Sequence, residues 1–257
     1  MNAVRNYQKE LDKVIEKIST EGSGAPTLFL HSCCAPCSSY VLEYLRIYFR
    51  ITVFYFNPNI TEDAEYRKRV EEQKRLIAAY NQNMTNIVNS DCNRGARTDG
   101  DTAHDSGRWM NSEDAMDGRA GMAESGYFIE VLEGDYEPAH FYEIAKGLED
   151  CPEGGERCFA CYELRLRETA KRAQAGGYDY FTTTLSISPL KNAAKLNEIG
   201  EKLAREYGVA WLPSDFKKRD GYKRSIELSK EYDLYRQDYC GCVYSQAERD
   251  RRKKLDT

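Results

Sequence analysis

Residues 31–39 read HSCCAPCSS, and this segment decides the fold because its three thiols lie between a predicted strand and a predicted helix. An apolar run, TLFL at residues 27–30, precedes it and is short enough for a buried strand. Residues 38–45, SSYVLEYL, predict a helix entered through a serine cap. Open α/β sheets bind their ligands at the carboxyl ends of the strands. Because thiols stand where a phosphate-binding loop has glycines, the sequence predicts a metal or redox site here.

Apolar runs alternate with helical patterns along the rest of the chain. The predicted strands are residues 27–30, 51–56, 127–132, 178–184 and 209–212, and predicted helices include residues 4–19, 62–80, 138–148 and 191–207. Strands that alternate with helices in this way indicate βαβ units and a parallel sheet with right-handed crossovers. We therefore expect a doubly wound α/β fold with helices on both faces and a helical C-terminal part, residues 215–257.

The chain of 257 residues is expected to form a single domain, residues 1–257, with one flexible insertion. Residues 92–126 contain no Val, Ile, Leu or Phe, and many Gly, Asp, Ser and Asn residues. Such a segment cannot bury enough apolar surface to fold by itself. No functional role is expected for Cys92 or His104 within it.

The cysteine content indicates a metal or catalytic centre in a reducing compartment. Nine cysteines occur in the chain, and no secretory signal or apolar run of transmembrane length precedes them. We therefore expect a cytoplasmic protein with no membrane partner, in which clustered cysteines bind metal or act in catalysis.

The net charge of −5 argues against a uniformly basic surface for nucleic acid, although basic residues cluster locally. The clusters are residues 67–69, 217–219, 223–224 and 249–254. Each is simplest to interpret as a solvated helix face. A local stripe on an acidic protein can still neutralise phosphates.

Cys158 and Cys161 form a Cys-x-x-Cys motif at the start of a predicted helix. Two thiolates at this spacing can bind one metal centre, and alone the motif fits zinc, an iron–sulfur cluster or a redox dithiol. If both cysteine groups lie at the same sheet edge, Cys33 and Cys34 can supply two further ligands. The resulting four-cysteine site suits a [4Fe–4S] cluster or structural zinc. Cys37 is then a spare thiol, an alternative ligand or a ligand to a second metal.

Cys240 and Cys242 differ in kind from the other pairs. A Cys-x-Cys disulfide closes a very small ring, departs from relaxed disulfide geometry and is easily reduced. Gly241 gives the backbone the freedom that such a ring needs. The pair therefore suits a redox-active dithiol, and a third pair of metal ligands is the alternative.

Four segments carry a resemblance to a known family. They are residues 33–37 (CCAPC), 156–161 (ERCFAC), 182–192 (TTTLSISPLKN) and 235–242 (YRQDYCGC). With these segments the chain resembles the cobalamin-independent epoxyqueuosine reductases, the QueH family, from about Thr27 to Ser245. Residues 92–126 depart from the family as an insertion.

The resemblance implies reduction of the epoxide of epoxyqueuosine in the tRNA anticodon to queuosine, with an electron donor as a further partner. It implies the Rossmann-like fold of adenine nucleotide alpha hydrolases and PP-loop tRNA thiolases. It also implies a [4Fe–4S] cluster on Cys33, Cys34, Cys158 and Cys161 and a redox-active pair at Cys240 and Cys242.

Some of the chemistry is left open by the residues. A second metal ion, iron or zinc, at Cys37 would act as a Lewis acid on the epoxide oxygen. The residues that could supply protons are Asp215, Asp238, Tyr239 and Lys191. Tyrosine rings could stack bases while residues 217–224 bind phosphates.

Two other functions are compatible with parts of the sequence. A tRNA sulfur-transferase on the same fold would need a glycine-rich loop after the first strand, where the cysteines stand. A zinc-stabilised RNA-binding module would explain the metal ligands but would give residues 240–242 no task.

Overall fold

The computed structural model describes residues 5–22, 24–94 and 126–255. The helices in these ranges are α1 (Tyr7–Glu21), α2 (Ala35–Leu45), α3 (Asp63–Arg94), α4 (Pro138–Ala145), α5 (Glu156–Ala175), α6 (Ala193–Tyr207), α7 (Gly221–Glu231) and α8 (Val243–Leu255), and a 3-10 helix covers Thr184–Ile187. The strands are β1 (Thr27–Ser32), β2 (Arg50–Tyr55), β3 (Glu130–Glu133), β4 (Tyr180–Thr183) and β5 (Ala210–Trp211).

The strands form one parallel sheet in the order β3-β2-β1-β4-β5. β1 is central and pairs with β2 on one side and with β4 on the other. The order in which strands are added reverses between β1 and β4, and such a switch point opens a crevice at the carboxyl ends of these strands. The prediction of a parallel, Rossmann-like sheet is confirmed.

The core has two layers because side chains of β1 alternate between the faces of the sheet. Leu28 and Leu30 pack into an apolar cluster with residues of α1, α2 and α3. Phe29 packs on the opposite face into a cluster with residues of α5 and α6. Helices therefore cover both faces, as predicted, and all three side chains are at most 1% exposed.

The strand nearest the insertion differs from its prediction. β3 begins at Glu130 instead of residue 127, because the amide side chain of Asn81 binds the backbone that precedes it. Asn81 Nδ2 donates to the carbonyl of Ile129 at 2.9 Å, and Asn81 Oδ1 accepts from the Ile129 N–H at 3.0 Å. An α3 side chain thus replaces strand pairing at this point.

Two other boundaries also differ. Helix α3 continues to Arg94, past the predicted end at Tyr80, and α2 begins at Ala35, one turn before the predicted serine cap. Most of the predicted insertion, residues 95–125, lies outside the described residues.

In the described part of the chain, no helix combines the length and apolar character that a membrane crossing requires.

His31 joins β1 to the ends of both neighbouring strands. Its Nδ1 lies 2.8 Å from Thr183 Oγ1 at the end of β4, and its Nε2 lies 3.1 Å from the carbonyl oxygen of Phe56 just after β2. Because a carbonyl only accepts, Nε2 carries the hydrogen and Nδ1 accepts from the Thr183 hydroxyl. Burial, with a contribution from the Arg165 cation, lowers the pKa of His31 to about 3. The imidazole is therefore neutral.

His31→Gln should remove one component of the acid sensitivity of folding. The unfolded pKa of about 6.5 lies above the folded value, so the unfolded chain binds more protons at intermediate pH. Stability from His31 is fully present above about pH 6.5 and falls towards pH 3, by up to about 1.4 kcal/mol per pH unit. Urea unfolding of the metal-free protein should show the advantage of wild type over the variant shrinking as the pH falls.

His140→Gln is the matched control, because the His140 side chain is 49% exposed. Its stability curve should run parallel to that of wild type. A wild-type pH slope in His31→Gln would contradict the neutral, buried imidazole.

Candidate metal and redox site

The site begins with three thiols at the end of β1. The Sγ atoms of Cys33, Cys34 and Cys37 all lie within 4.8 Å of one another, and those of Cys33 and Cys34 are 3.8 Å apart. Cys34 is the N-cap of α2, and Pro36 lies in its first turn, where its fixed φ suits a helix start. Three soft ligands at this spacing could hold a metal ion, and the group includes Cys37, which lies outside the four-cysteine site predicted from the sequence.

Hydrogen bonds within this group make its first deprotonation easy. Thiols of Cys33 and Cys37 hold the pKa of Cys34 well below its usual range. The pKa of Cys33 is raised to about 11, chiefly by its hydrogen bond with Cys34, and that of Cys37 is raised by Cys33 and Cys34. The group therefore holds one negative charge readily, and further thiolates need a compensating cation.

A buried polar network holds the cysteine segment in place. Gln73 Oε1 on α3 accepts from the hydroxyls of Ser32 at 2.7 Å and Ser38 at 2.9 Å. Asn57 Nδ2 donates to the carbonyl oxygen of Ser32 at 2.8 Å. The turn from β1 into α2 is thus tied to α3 and to the segment after β2.

Cys158 and Cys161 lie in the first turns of α5. The Gly154 N–H donates to Cys158 Sγ at 3.3 Å. Burial raises the pKa of both thiols, to about 12 for Cys161, even though a helix N-terminus by itself favours thiolates. Cys33 and Cys158 pack against the same apolar cluster, whereas Cys37 packs against the cluster on the other face of the sheet.

Cys240 and Cys242 are free thiols on the segment between α7 and α8. Gly241 between them has φ +111°, and a Cβ at this position would lie 2.8 Å from Ile60 Cγ1. Only glycine fits this backbone, as the sequence indicated. Burial raises the pKa of Cys242, whose Sγ accepts from the Ser245 N–H at 3.4 Å.

Two adjoining cavities collect these thiols. The larger, of about 540 Å³, is lined by Cys33, Cys34, Cys37 and Cys240 among other residues. The smaller, of about 10 Å³, holds no more than one water and is lined by Cys158, Cys161, Cys240 and Cys242. The structure therefore brings together all seven cysteines singled out by the sequence, with Cys240 lining both cavities.

Lys191 connects Cys240 to an acidic side chain. Its Nζ lies 3.3 Å from Cys240 Sγ and 3.1 Å from Glu153 Oε1. Burial by itself lowers the pKa of Lys191, but Cys240, Tyr162 and Glu153 raise it well above its usual range. The lysine is therefore a buried cation that touches a thiol.

Arg165 is a second buried cation, 1% exposed, and it also lines both cavities. Sequence reasoning missed Arg165 and Glu153. The available signal for Arg165 was its position four residues after Cys161 on one helix, which places both on one face. Nothing in the local sequence distinguishes Glu153 from other acidic loop residues.

A Rossmann-like domain with clustered thiols and buried cations at its switch point defines a class, that of thiol-dependent metal and redox proteins. A family model described as "Epoxyqueuosine reductase QueH" matches residues 28–95 and 117–248. The chain belongs to the epoxyqueuosine reductase QueH family. Enzymes of this family are oxidoreductases, and so is this protein.

Curated relatives are similar over most of the chain. "Epoxyqueuosine reductase QueH" of Staphylococcus epidermidis is 38% identical over 242 residues, covering 93% of this chain and 84% of the relative. The protein of the same name from Streptococcus pyogenes serotype M1 is 36% identical, covering 93% and 78%. That from Dehalococcoides mccartyi is 31% identical, covering 88% and 95%.

The three-thiol group should bind a soft divalent ion in the metal-free protein. Titration with Co²⁺ under anaerobic conditions should produce thiolate charge-transfer absorption, because the ion replaces the thiol protons. Cys34→Ser should weaken binding at least about tenfold, because loss of an outer-shell partner already costs about that much and Cys34 is a direct ligand candidate. Cys151→Ser is the control, because Cys151 lines neither cavity. Equal Co²⁺ spectra and affinities in all three proteins would contradict a metal-binding role for this group.

Proposed function

We propose that this protein reduces the epoxide of epoxyqueuosine in a tRNA anticodon to the alkene of queuosine, with loss of water. The observation that carries the proposal is the Cys240–Cys242 pair, whose first thiol lines the large cavity beside the Lys191 ammonium. The names of the relatives supply the substrate, and the cavity supplies the chemistry that the substrate needs.

The reaction balances on the residues of this site. Removing an epoxide oxygen as water consumes two electrons and two protons. Oxidation of the Cys240 and Cys242 dithiol to a disulfide releases two electrons and two protons, so dithiol plus epoxide gives disulfide, alkene and water. An external electron donor then reduces the disulfide for the next turnover.

The proposed cofactor is a [4Fe–4S] cluster on Cys33, Cys34, Cys158 and Cys161. Support comes from the donor set, which is soft thiols from two segments that line adjoining cavities, and from the two buried cations that line both cavities. When bound, the cluster supplies one-electron transfer. Cys37 is the thiol left over, and we assign it to a second metal ion, iron or zinc.

Lys191 is better placed to donate a proton than Asp238 or Asp215, two of the other three candidates considered from the sequence. Asp238 pairs with Lys253 at 2.6 Å and Arg249 at 2.9 Å, which lower its pKa and keep it ionised. Asp215 pairs with Lys217 and does not line the large cavity. Lys191 lines it, and its Glu153 partner keeps the ammonium in place. It therefore donates a proton towards the leaving oxygen.

The rim of the large cavity suits an anticodon loop. Its exposed cations include Arg252 and Lys253 on α8, which are 62% and 64% exposed. Tyr239 lies at the same rim, with the guanidinium of Arg249 at 4.5 Å from its ring and that of Arg69 at 5.3 Å. Cations bind phosphates and aromatic rings stack bases, so the rim combines both elements of single-strand recognition.

The basic stripe predicted from the sequence, residues 217–224, is partly occupied by internal ion pairs. Lys217 pairs with Asp215 at 3.1 Å and Arg219 with Asp12 at 2.5 Å. Within the stripe, Tyr222 lines the cavity and the cations do not. Arg252 and Lys253 on α8 also have acidic partners, but they line the cavity, so we place the first phosphate contacts on α8.

The proposed location is the cytoplasm. A catalytic dithiol and five further clustered thiols stay available in a reducing compartment, and tRNA is found there. A zinc-bound RNA-binding module is the competing function, and it predicts colourless protein that lacks turnover.

Cys240→Ser and Cys242→Ser should each keep the iron content and visible absorption of wild type while losing turnover on epoxyqueuosine-containing tRNA. The reason is that each variant removes one half of the dithiol but none of the proposed cluster ligands. The measurements are iron analysis, an absorption spectrum and product formation on the same anaerobic sample.

Cys158→Ala and Cys161→Ala are the reciprocal variants and should lose the iron–sulfur absorption itself. Loss of iron from the Cys240 and Cys242 variants would make that pair metal ligands. Full turnover in both serine variants would remove the pair from the mechanism.

Charge reversal on α8 should weaken tRNA binding without changing the metal site. Arg252→Glu/Lys253→Glu should lower affinity and reduce the slope of log K against log salt by about one for each lost phosphate contact. Fluorescence anisotropy across a salt series measures both quantities. Lys217→Glu/Lys218→Glu/Arg219→Glu should have the smaller effect.

Lys9→Glu/Lys13→Glu is a matched control, because both lysines are exposed on α1 and neither lines the cavity. Its affinity and salt slope should equal those of wild type. The proposed tRNA surface is wrong if the α8 variant behaves like this control.

A further inference from the structure

Arg165 is a buried cation for which the described residues provide no acidic partner. Its Nε donates to the carbonyl oxygen of Cys161 at 3.3 Å, and its Nη1 donates to Asn57 Oδ1 at 3.3 Å. Both acceptors are neutral. Nη2 is buried and has no hydrogen-bond partner within the described part of the chain.

Other buried arginines of the same structure are paired. Arg69, 2% exposed, forms an ion pair with Glu65 at 2.7 Å. Arg157, also 2% exposed and on the same helix as Arg165, lies 3.6 Å from a carboxylate oxygen of Glu248. Burying a charge without an opposite charge is costly, so the environment of Arg165 needs an anion that no carboxylate of the described residues supplies.

The groups around Arg165 that can become anionic are thiols. Interactions with Cys161, Cys240 and Cys33 raise the pKa of the guanidinium, against the effect of burial. These thiols come from three separate segments, and Arg165 lines both of the cavities into which they face. Thiols that bind a metal do so as thiolates, and thiolate-bound metal centres carry net negative charge.

We propose that Arg165 is a positioning residue that supplies the counter-charge of the thiolate-bound metal centre. The inference rests on the proposed function for the presence of that centre. The free Nη2 donor points to a hydrogen bond with a thiolate or sulfide of the centre, and the guanidinium offsets charge that increases when the centre is reduced. Hydrogen bonds and local charge of this kind set the reduction potentials of iron–sulfur centres.

The proposal predicts that Arg165 stabilises the metal-loaded protein but does not stabilise the metal-free protein. In the metal-free protein the cation lacks its anion, so Arg165→Met should have the same thermal midpoint as wild type or a higher one. After anaerobic reconstitution with ferrous iron and sulfide, the thermal midpoint of wild type should rise by more than that of the variant. The measurement is the rise in midpoint on loading, which compares each protein with itself.

Reduction should also become less favourable without the cation. Dye-mediated redox titration of the reconstituted Arg165→Met protein should show an equilibrium constant for reduction at least tenfold lower, which is about 59 mV for a one-electron couple. Arg165→Lys retains the charge and loses the fork of donors. Its reduction potential should therefore be close to that of wild type, and its rise in thermal midpoint on loading should be intermediate. This variant also provides the test if the methionine variant does not fold.

Arg157→Met is the control for loss of a buried arginine from the same helix. It should lower the thermal midpoint equally in the metal-free and loaded forms, because its partner Glu248 is present in both, and it should change the potential less than Arg165→Met, because Glu248 offsets its charge. Arg165 is merely structural if its variants load iron with a wild-type gain in midpoint and a wild-type potential. Failure of the proposed function gives a different result, in which wild type itself acquires iron and a potential but does not turn over the tRNA.

Discussion

The parallel pairing of β1 with β4 is the constraint on which the site depends. It reverses the order of the sheet beside the cysteine segment, so the segments that follow β1 and β4 separate and leave a crevice between them. His31 holds this junction through Thr183 on β4 and the carbonyl of Phe56 after β2. A neutral ring bonded on both sides fixes the relative positions of three strand ends.

Charge is the second determinant of the site. Thiols packed this closely resist ionisation beyond the first proton, and two buried cations, Arg165 and Lys191, lie among them. The two cations differ in their partners. Lys191 pairs with Glu153 and touches Cys240, whereas the hydrogen-bond acceptors of Arg165 among the described residues are neutral. The two cations therefore have different electrostatic environments, which is the basis for the different roles proposed for them.

Much of the fold and the thiol set could be predicted from the sequence, because apolar runs and cysteine spacing are local signals. The start of β3 could not be predicted, since a side chain of α3 captures the backbone of Ile129. The association of Cys158 with Cys240 at one small cavity is also tertiary. The role of Arg165 could not be predicted either. Arg157 lies on the same helix, and the two differ in that Arg165 has no acidic neighbour among the described residues, which is a tertiary property.

Arg69 anchors the main chain next to Cys240, and this anchoring limits how far the main chain there can move. Arg69 Nη1 donates to the carbonyl oxygen of Cys240 at 3.1 Å, Nη2 reaches that of Tyr239 at 3.4 Å, and Glu65 holds the guanidinium from behind. The main chain on the amino side of the pair is thereby anchored to α3. In the proposed redox cycle, forming and breaking a Cys240–Cys242 disulfide would need only side-chain rotation and movement at Gly241, while the anchored main chain stays in place.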